Sequence, residues 1–361
     1  MNTFGFHPEG RGPGFRRTWA FAFAVFALSW LPAQEEGEVM PTGAAPLHRK
    51  DFAKIGKVAP LAGSAVGEPV ISMRERFPHP RHQGRLSSCV TFAACYAIKT
   101  YLERSRNGWE DTDNTDEHVF SPAFIYNEFE RQISKGPLTN SKGIKIQAGL
   151  SFLEGAGCCT WKTMPYDGET AGLAEDHMWD EARRYRRDKW DTIDIRNVGL
   201  LRQYLAAGKP VIFGAVVDTA GGRWAVDEKG ITDRLLNVVT GYHAMVLVGY
   251  DDNKGGPGMG AFEVMNSWGD QWNDGGFAWV AYTFWPQWVN EGYVIWDSRE
   301  EAKQLPLPDN VKASDLRWLP PGPEGKRNGN WGYPDTVILK DLKVTEEKKY
   351  PEQIRSFQVG E

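Results

Sequence analysis

The chain has 361 residues, 41% of them hydrophobic and 25% charged, with a formal net charge of −5. That balance provides for a buried core, which excludes a disordered chain, and it lacks the basic patch that nucleic-acid binding requires. Arg11, Arg16 and Arg17 open the chain, followed by residues 19–31, an apolar run broken only by Ser29. The run is shorter than the ~20 residues that cross a bilayer. With Pro32-Ala33 and the acidic Glu35-Glu36 behind it, residues 1–33 have the layout of an export signal cut near Ala33. The mature chain is then expected in the periplasm, at the cell surface or outside the cell, with no stable membrane association; an uncleaved anchor is the alternative. Residues 34–63, rich in Pro, Gly and Ala, read as a mobile lead-in.

Periodic apolar patterns begin near residue 64. A helix is predicted over 88–104, with Ser87 or Ser88 as N-cap and Asn107-Gly108 closing it. A second begins at Ser121-Pro122, with proline in its first turn, a third spans 143–154 and a fourth centres on 200–207. The second half changes period. Stretches 211–217, 242–250, 260–265, 277–282 and 293–296 read as strands between Gly-, Asp- and Asn-rich connections. Helices in one half and strands in the other make an α+β protein, with a helical lobe over about 64–195 and a β lobe over about 196–298. A site built from both halves belongs in the cleft between them. Six Trp crowd positions 268–296, which reads as packing. Residues 299–361 form an extension of unknown role, in which 336–344 can make a strand.

Three short stretches carry chemistry. Cys89 stands where the first turn of the first helix is predicted, so the positive end of the helix dipole favours its thiolate and the free N–H groups there can hold an oxyanion. A buried structural cysteine is the plain alternative. His243 opens the apolar run Ala244-Met245-Val246-Leu247-Val248. The other six histidines lie in polar or loop-like surroundings or before the cleavage point. Asn266, at the end of a strand, can accept an imidazole N–H and fix its tautomer, and Trp268 can shield that bond; a simple turn also fits Asn266 to Gly269. Of the remaining cysteines, Cys95 reads as a small buried hydrophobe, the adjacent Cys158 and Cys159 cannot bridge each other without strain, and at most one disulfide can form if Cys89 stays free. No Cys/His spacing suits zinc.

Together these stretches resemble the papain family of cysteine peptidases in its bacterial form. The order matches: Gln83 six residues before Cys89, then the strand His243 to Tyr250, then Asn266-Ser267-Trp268-Gly269 and a Trp272-x-x-Gly-Gly-Phe277 stretch. Weaker echoes lie at 121–126, 164–167 and 208–211. The resemblance covers residues 64–298. Two departures concern the nucleophile's surroundings: Leu86 stands where many relatives have a cysteine, and Val90 where they have a tryptophan. Only about thirty residues separate the predicted cleavage point from the body, too few for the family's usual helical propeptide.

The resemblance implies a two-lobed fold with a helical N-terminal lobe, an antiparallel β-barrel-like C-terminal lobe and the active site between them. It implies Cys89 as nucleophile, His243 as its base, Asn266 as the residue orienting His243, Gln83 as an oxyanion donor and Trp268 as the shield of the His-Asn pair. The activity implied is peptide hydrolysis through an acyl-enzyme, by an endopeptidase rather than an exopeptidase, on peptide or protein substrates. No metal or organic cofactor and no nucleic-acid partner is implied, and the chain is expected to be a monomer. Two other readings stand beside it: an inactive relative that only binds peptides, and an acyl transferase of transglutaminase type.

Overall fold

The computed structural model describes residues 40–47, 52, 57–61, 67–134, 143–168, 172–186, 188–219, 224, 226–235 and 240–297, with three short strands beyond 315. The expected export signal, residues 1–33, lies outside the described residues, as do parts of the lead-in and most of the extension.

The first helix, α1, is continuous through Cys89–Thr91, a π-helical stretch Phe92–Lys99 and Thr100–Asn107. All eight residues of the π-helical stretch are buried. Four of them, Ala93, Ala94, Cys95 and Ala97, are small, which lets the helix lie close to the sheet it packs on. Ser88 stands at the N-cap, and its carbonyl accepts from Thr91 and Phe92. Its hydroxyl turns away to Tyr166 Oη at 2.6 Å. The helix ends at Gly108 as the sequence predicts. Helices α2 (Pro122–Ser134), α3 (Ile146–Ala156) and α5 (Val198–Ala206) fall where the periodicity places them. Asn197 caps α5, accepting the Leu200 N–H at 3.0 Å. Helix α4 (Asp176–Arg184) was not legible, because it buries only Trp179 and Ala182 and its apolar stripe is too narrow to stand out. The short α6 is Trp285–Trp288.

Eight strands make one sheet: β1 Val70–Ser72, β2 Asp188–Thr192, β3 Val211–Asp218, β4 Ile231–Thr232, β5 Thr240–Asp251, β6 Ala261–Met265, β7 Phe277–Ala281 and β8 Val289–Asp297. Their order is β2-β8-β3-β5-β6-β7-β4, with β1 paired to β5. Every pairing is antiparallel except β4 with β7. The sheet is open at β2 and β4 and so does not close into a barrel. Two strands come from the stretch read as the helical lobe, so the helical and β regions interlock: Ile71 pairs with Tyr250, and Trp190 with Ile295. A separate sheet joins β9 (Leu316–Trp318), β10 (Val337–Lys340) and β11 (Phe357–Gly360).

The tryptophans pack as expected. Trp268, Trp272, Trp285 and Trp288 are buried, and Trp224 meets Trp272 and Trp288 edge-on at 5.0 and 5.2 Å. All four cysteines are buried thiols without a bridge; Cys158 Sγ donates to the Ser121 carbonyl at 3.1 Å.

A buried ionic cluster ties α1 to β2. Lys99 Nζ lies 2.7 Å from both Glu103 and Asp188, and Arg106 lies 2.6 and 2.9 Å from the same two carboxylates. Burial alone would raise the Glu103 carboxyl, but Lys99 and Arg106 outweigh it and hold it below its ordinary range. Lys99→Met leaves two carboxylates buried against one cation, a loss of about 3–5 kcal/mol. Denaturant unfolding should register it; a change under about 1 kcal/mol would remove the cluster from any role in stability.

Candidate active site

Cys89 is the first residue of α1, and the helix brings it against β5. The Ala244 N–H points at the Cys89 sulfur from 3.5 Å. The thiol and His243, 154 positions apart in sequence, thus meet where the helix start touches the strand. Both are fully buried.

The hydrogen bonds around Asn266 fix the imidazole. Asn266 Oδ1 accepts the Ser267 N–H at 2.7 Å. Because a backbone N–H can only donate, that amide atom is the oxygen. The same oxygen lies 2.7 Å from His243 Nε2, so Nε2 carries the proton. His243 Nδ1 is left as the basic nitrogen, buried and without a hydrogen-bond partner among the described residues. Trp268 stacks on the imidazole, with ring centroids 4.9 Å apart and planes at 28°. This covers the His243–Asn266 bond from solvent.

Gln83 is held as firmly. Its N–H donates to the Ser267 carbonyl at 2.9 Å, and its Oε1 accepts the Ser267 hydroxyl at 2.6 Å. Its carbonyl accepts from Tyr166 Oη at 2.5 Å. The carboxamide Nε2 is thereby aimed outward, at the Leu86 carbonyl (2.8 Å) and the Thr42 carbonyl (3.2 Å). All five residues singled out in the sequence, Gln83, Cys89, His243, Asn266 and Trp268, come together. Sequence reading missed Ser267 and Tyr166, although both sit inside motifs that it quoted.

It also missed what fills the site. Residues 40–47, from the stretch read as a lead-in, run across the thiol. Met40 N–H donates to Thr219 O at 3.0 Å. Trp268 Nε1 donates to Pro41 O at 2.8 Å, and Gln83 Nε2 to Thr42 O. Ile144 N–H donates to Gly43 O at 2.8 Å, and Ala45 N–H returns to Ile144 O at 2.9 Å, forming a parallel bridge. Ala44 N–H donates to Tyr242 O at 3.2 Å and also reaches the Cys89 sulfur. Leu47 N–H meets Glu291 Oε1 at 3.3 Å. Gly43 lies flat on the Ser87 backbone, with φ of +148°, and a Cβ there would come within 2.1 Å of Ser87 O.

Burial sets the electrostatics. Burial pushes the Cys89 thiol up to about 12, against the pull of the Ala244, Val90 and Ala44 N–H groups. Burial also pushes His243 down to about 4, against the Asn266 hydrogen bond. Thiol and imidazole are therefore both neutral while the segment is seated.

The family model described as papain family cysteine protease matches residues 71–287. No curated protein matches the chain. Among solved structures, xylellain, a cysteine protease from Xylella fastidiosa, is similar with a TM-score of 0.57 at 23% identity, over 73% of this chain and 99% of its own. The Amb a 11 cysteine protease of ragweed pollen, in its proform, aligns with a TM-score of 0.50 at 17% identity, over 73% of each chain. At these identities the likeness is one of fold.

Two outcomes are expected. Gly43→Ala introduces strain of about 1–3 kcal/mol and should raise the rate of Cys89 alkylation roughly 5- to 150-fold by loosening the segment; an unchanged rate would show that the segment does not restrict the thiol. In the intact chain the His243 imidazole should stay neutral until about pH 4, as read from histidine carbon-bound proton resonances. In Cys89→Ala, where no thiolate can pair with it, the hydrated imidazole has its ordinary value of 6.5, so protonation in the window from 6.5 to 4 favours states in which the cleft is open and stability of the closed form falls as pH drops. A His243 titration near 6.5 would contradict this.

Proposed function

The chain belongs to the papain family of cysteine proteases and is a cysteine-type peptidase; we propose that it is an exported endopeptidase using Cys89, His243 and Asn266. The observation that carries this reading is the fixed tautomer of His243. With Nε2–H committed to Asn266, Nδ1 is the nitrogen that takes the Cys89 proton. Once the cleft is open and wet, a thiolate beside an imidazolium is favoured by their mutual attraction and by the N–H groups around the sulfur.

The thiolate attacks the carbonyl carbon of the scissile peptide bond. The carbonyl oxygen becomes an oxyanion held by Gln83 Nε2–H and the Cys89 backbone N–H. The position of the Thr42 carbonyl, 3.2 Å from Gln83 Nε2, supports that role, since an acyl oxygen already rests on this donor. The His243 imidazolium then gives its proton to the leaving amine, which departs and leaves a thioester on Cys89. Water, deprotonated by His243, attacks the thioester and regenerates the thiol. Trp268 keeps solvent from the His243–Asn266 bond throughout.

Endopeptidase action is supported by residues 40–47. They cross the thiol as an internal stretch of polypeptide, the kind of substrate an endopeptidase accepts. The same residues make the described form latent, and cleavage requires that they leave. Export rests on the layout of residues 1–33.

In a fluorogenic peptide assay Cys89→Ala is expected to abolish cleavage. Gln83→Ala is expected to lower kcat by roughly two orders of magnitude, and Asn266→Ala by less. Mass spectrometry after treatment with a thiol-reactive epoxide should find Cys89 modified in parallel with lost activity. A Gln83→Ala enzyme with undiminished kcat would remove the oxyanion assignment.

A further inference from the structure

A short chain of hydroxyls joins two residues of the site. Tyr166 Oη lies 2.5 Å from the Gln83 carbonyl and 2.6 Å from Ser88 Oγ. A carbonyl can only accept, so the phenol proton goes to Gln83. Ser88 Oγ then donates its own proton to Tyr166 Oη. The chain runs from Ser88 through Tyr166 to Gln83. It links the residue just before the nucleophile to the residue proposed to hold the oxyanion. Burial raises the Tyr166 phenol well above its ordinary range, so it keeps its proton and remains a donor.

The phenol is placed by packing that does not involve its hydroxyl. Its ring meets Phe92 of α1 edge-on at 5.0 Å and Trp161 at 5.8 Å. The backbones are close as well. Arg85 N–H donates to Gly168 O at 3.3 Å, and a Cβ on Gly84, whose φ is +63°, would come within 2.8 Å of Gly168 Cα. A phenylalanine at 166 would therefore occupy the same seat.

Ser88 is where the consequence lies. It is the N-cap of α1, and a serine there ordinarily accepts from the second or third N–H of the helix. Those belong to Val90 and Thr91. The Thr91 N–H is taken by the Ser88 carbonyl at 3.0 Å. The Val90 N–H reaches the Cys89 sulfur. The Ser88 side chain caps neither. Because Ser88 is fully buried, its hydroxyl needs a partner inside the protein. With Tyr166 as that partner, the hydroxyl is turned away from Val90. The sulfur depends on this once the cleft opens. The Ala44 N–H leaves with residues 40–47, and the N–H of Cys89 itself serves the oxyanion, so Val90 and Ala244 remain as its donors.

We propose that Tyr166 is a positioning residue for the nucleophile: by holding the Ser88 hydroxyl it keeps the first turn of α1 uncapped, so that the Val90 N–H is left to the Cys89 thiolate. This rests on the reading of Cys89 as the nucleophile. Without the phenol, the buried Ser88 hydroxyl turns to Val90 N–H as an ordinary N-cap, and the thiolate loses a donor. Tyr166 and Tyr242 are the phenols that act on the thiol. Burial raises both, so His243 is the group that exchanges a proton with the sulfur.

The test uses the full-length chain and iodoacetamide, with the modified residue read by mass spectrometry. Iodoacetamide alkylates a thiolate without forming an oxyanion, so its rate reports the thiolate alone. At neutral pH, Tyr166→Phe should lower the Cys89 alkylation rate about tenfold, the loss of one hydrogen bond to a charged group. Ser88→Ala should react within about threefold of wild type, because no hydroxyl competes for Val90. The double variant Tyr166→Phe, Ser88→Ala should regain that rate, which a purely structural role for Tyr166 does not predict. Thermal unfolding of each variant checks that the fold is kept. A Tyr166→Phe chain that alkylates at the wild-type rate, or a slow one that Ser88→Ala does not restore, would overturn the proposal. The same pattern at Cys89 in a chain that cleaves no peptide would uphold Tyr166 and overturn the peptidase reading instead.

Discussion

Helix α1 lies so close to β5 that a backbone N–H of the strand reaches the Cys89 sulfur at 3.5 Å. Everything at the site depends on that approach. It needs small side chains on the buried stretch of the helix, which Ala93, Ala94, Cys95 and Ala97 provide. It needs the helix anchored along its length, and the Lys99–Glu103–Arg106–Asp188 cluster pins the far part of α1 to β2. Because β2 belongs to the same sheet as β5, helix and strand are held by one continuous ladder. Gln83 and Asn266 are then fixed relative to each other through Ser267, whose N–H, hydroxyl and carbonyl all bond within the site.

The same closeness creates an electrostatic conflict. The proposed thiolate and imidazolium are both favoured by hydration, and in this form both groups are buried with residues 40–47 across the thiol. Burial moves the two groups in opposite directions, each toward its neutral form. The latency proposed for this form would therefore be more than steric. Even a reagent small enough to slip past residues 40–47 would meet a thiol and not a thiolate. Opening the cleft restores access and reactivity in one step, because hydration favours both charges at once.

Much of this was legible in the sequence, and the part that was not has a physical reason. The site residues could be read because each has a side chain with distinctive chemistry in a distinctive local pattern: Cys89 at a helix start, His243 at the mouth of an apolar strand, Asn266 and Trp268 at a strand end. The long helices and β3, β5, β6 and β7 could be read because their buried faces repeat. Strands β1 and β2 could not, since three or five residues carry too little pattern and their place in the sheet depends on partners far along the chain. Residues 40–47 read as a lead-in because their seat in the cleft is made almost wholly by backbone N–H and C=O groups, which every sequence possesses.

The backbone character of that seat has a further consequence. The chain is fastened again just downstream, where Val58 N–H donates to Thr192 O at 2.8 Å and Tyr204 Oη to Ala59 O at 2.8 Å. Residues 40–47 are thus an intramolecular ligand on a short tether, since Phe52 is already buried against Tyr293, and they are present at the cleft at an effective concentration on the order of millimolar. A free peptide with the same main-chain bonds would have to reach that concentration to compete. A single break in the chain between residues 47 and 52 would turn the tethered ligand into one that dissociates and dilutes away. The affinity of the segment can accordingly be weak, and its sequence free to drift, provided that the tether stays whole and Gly43 remains able to lie against Ser87.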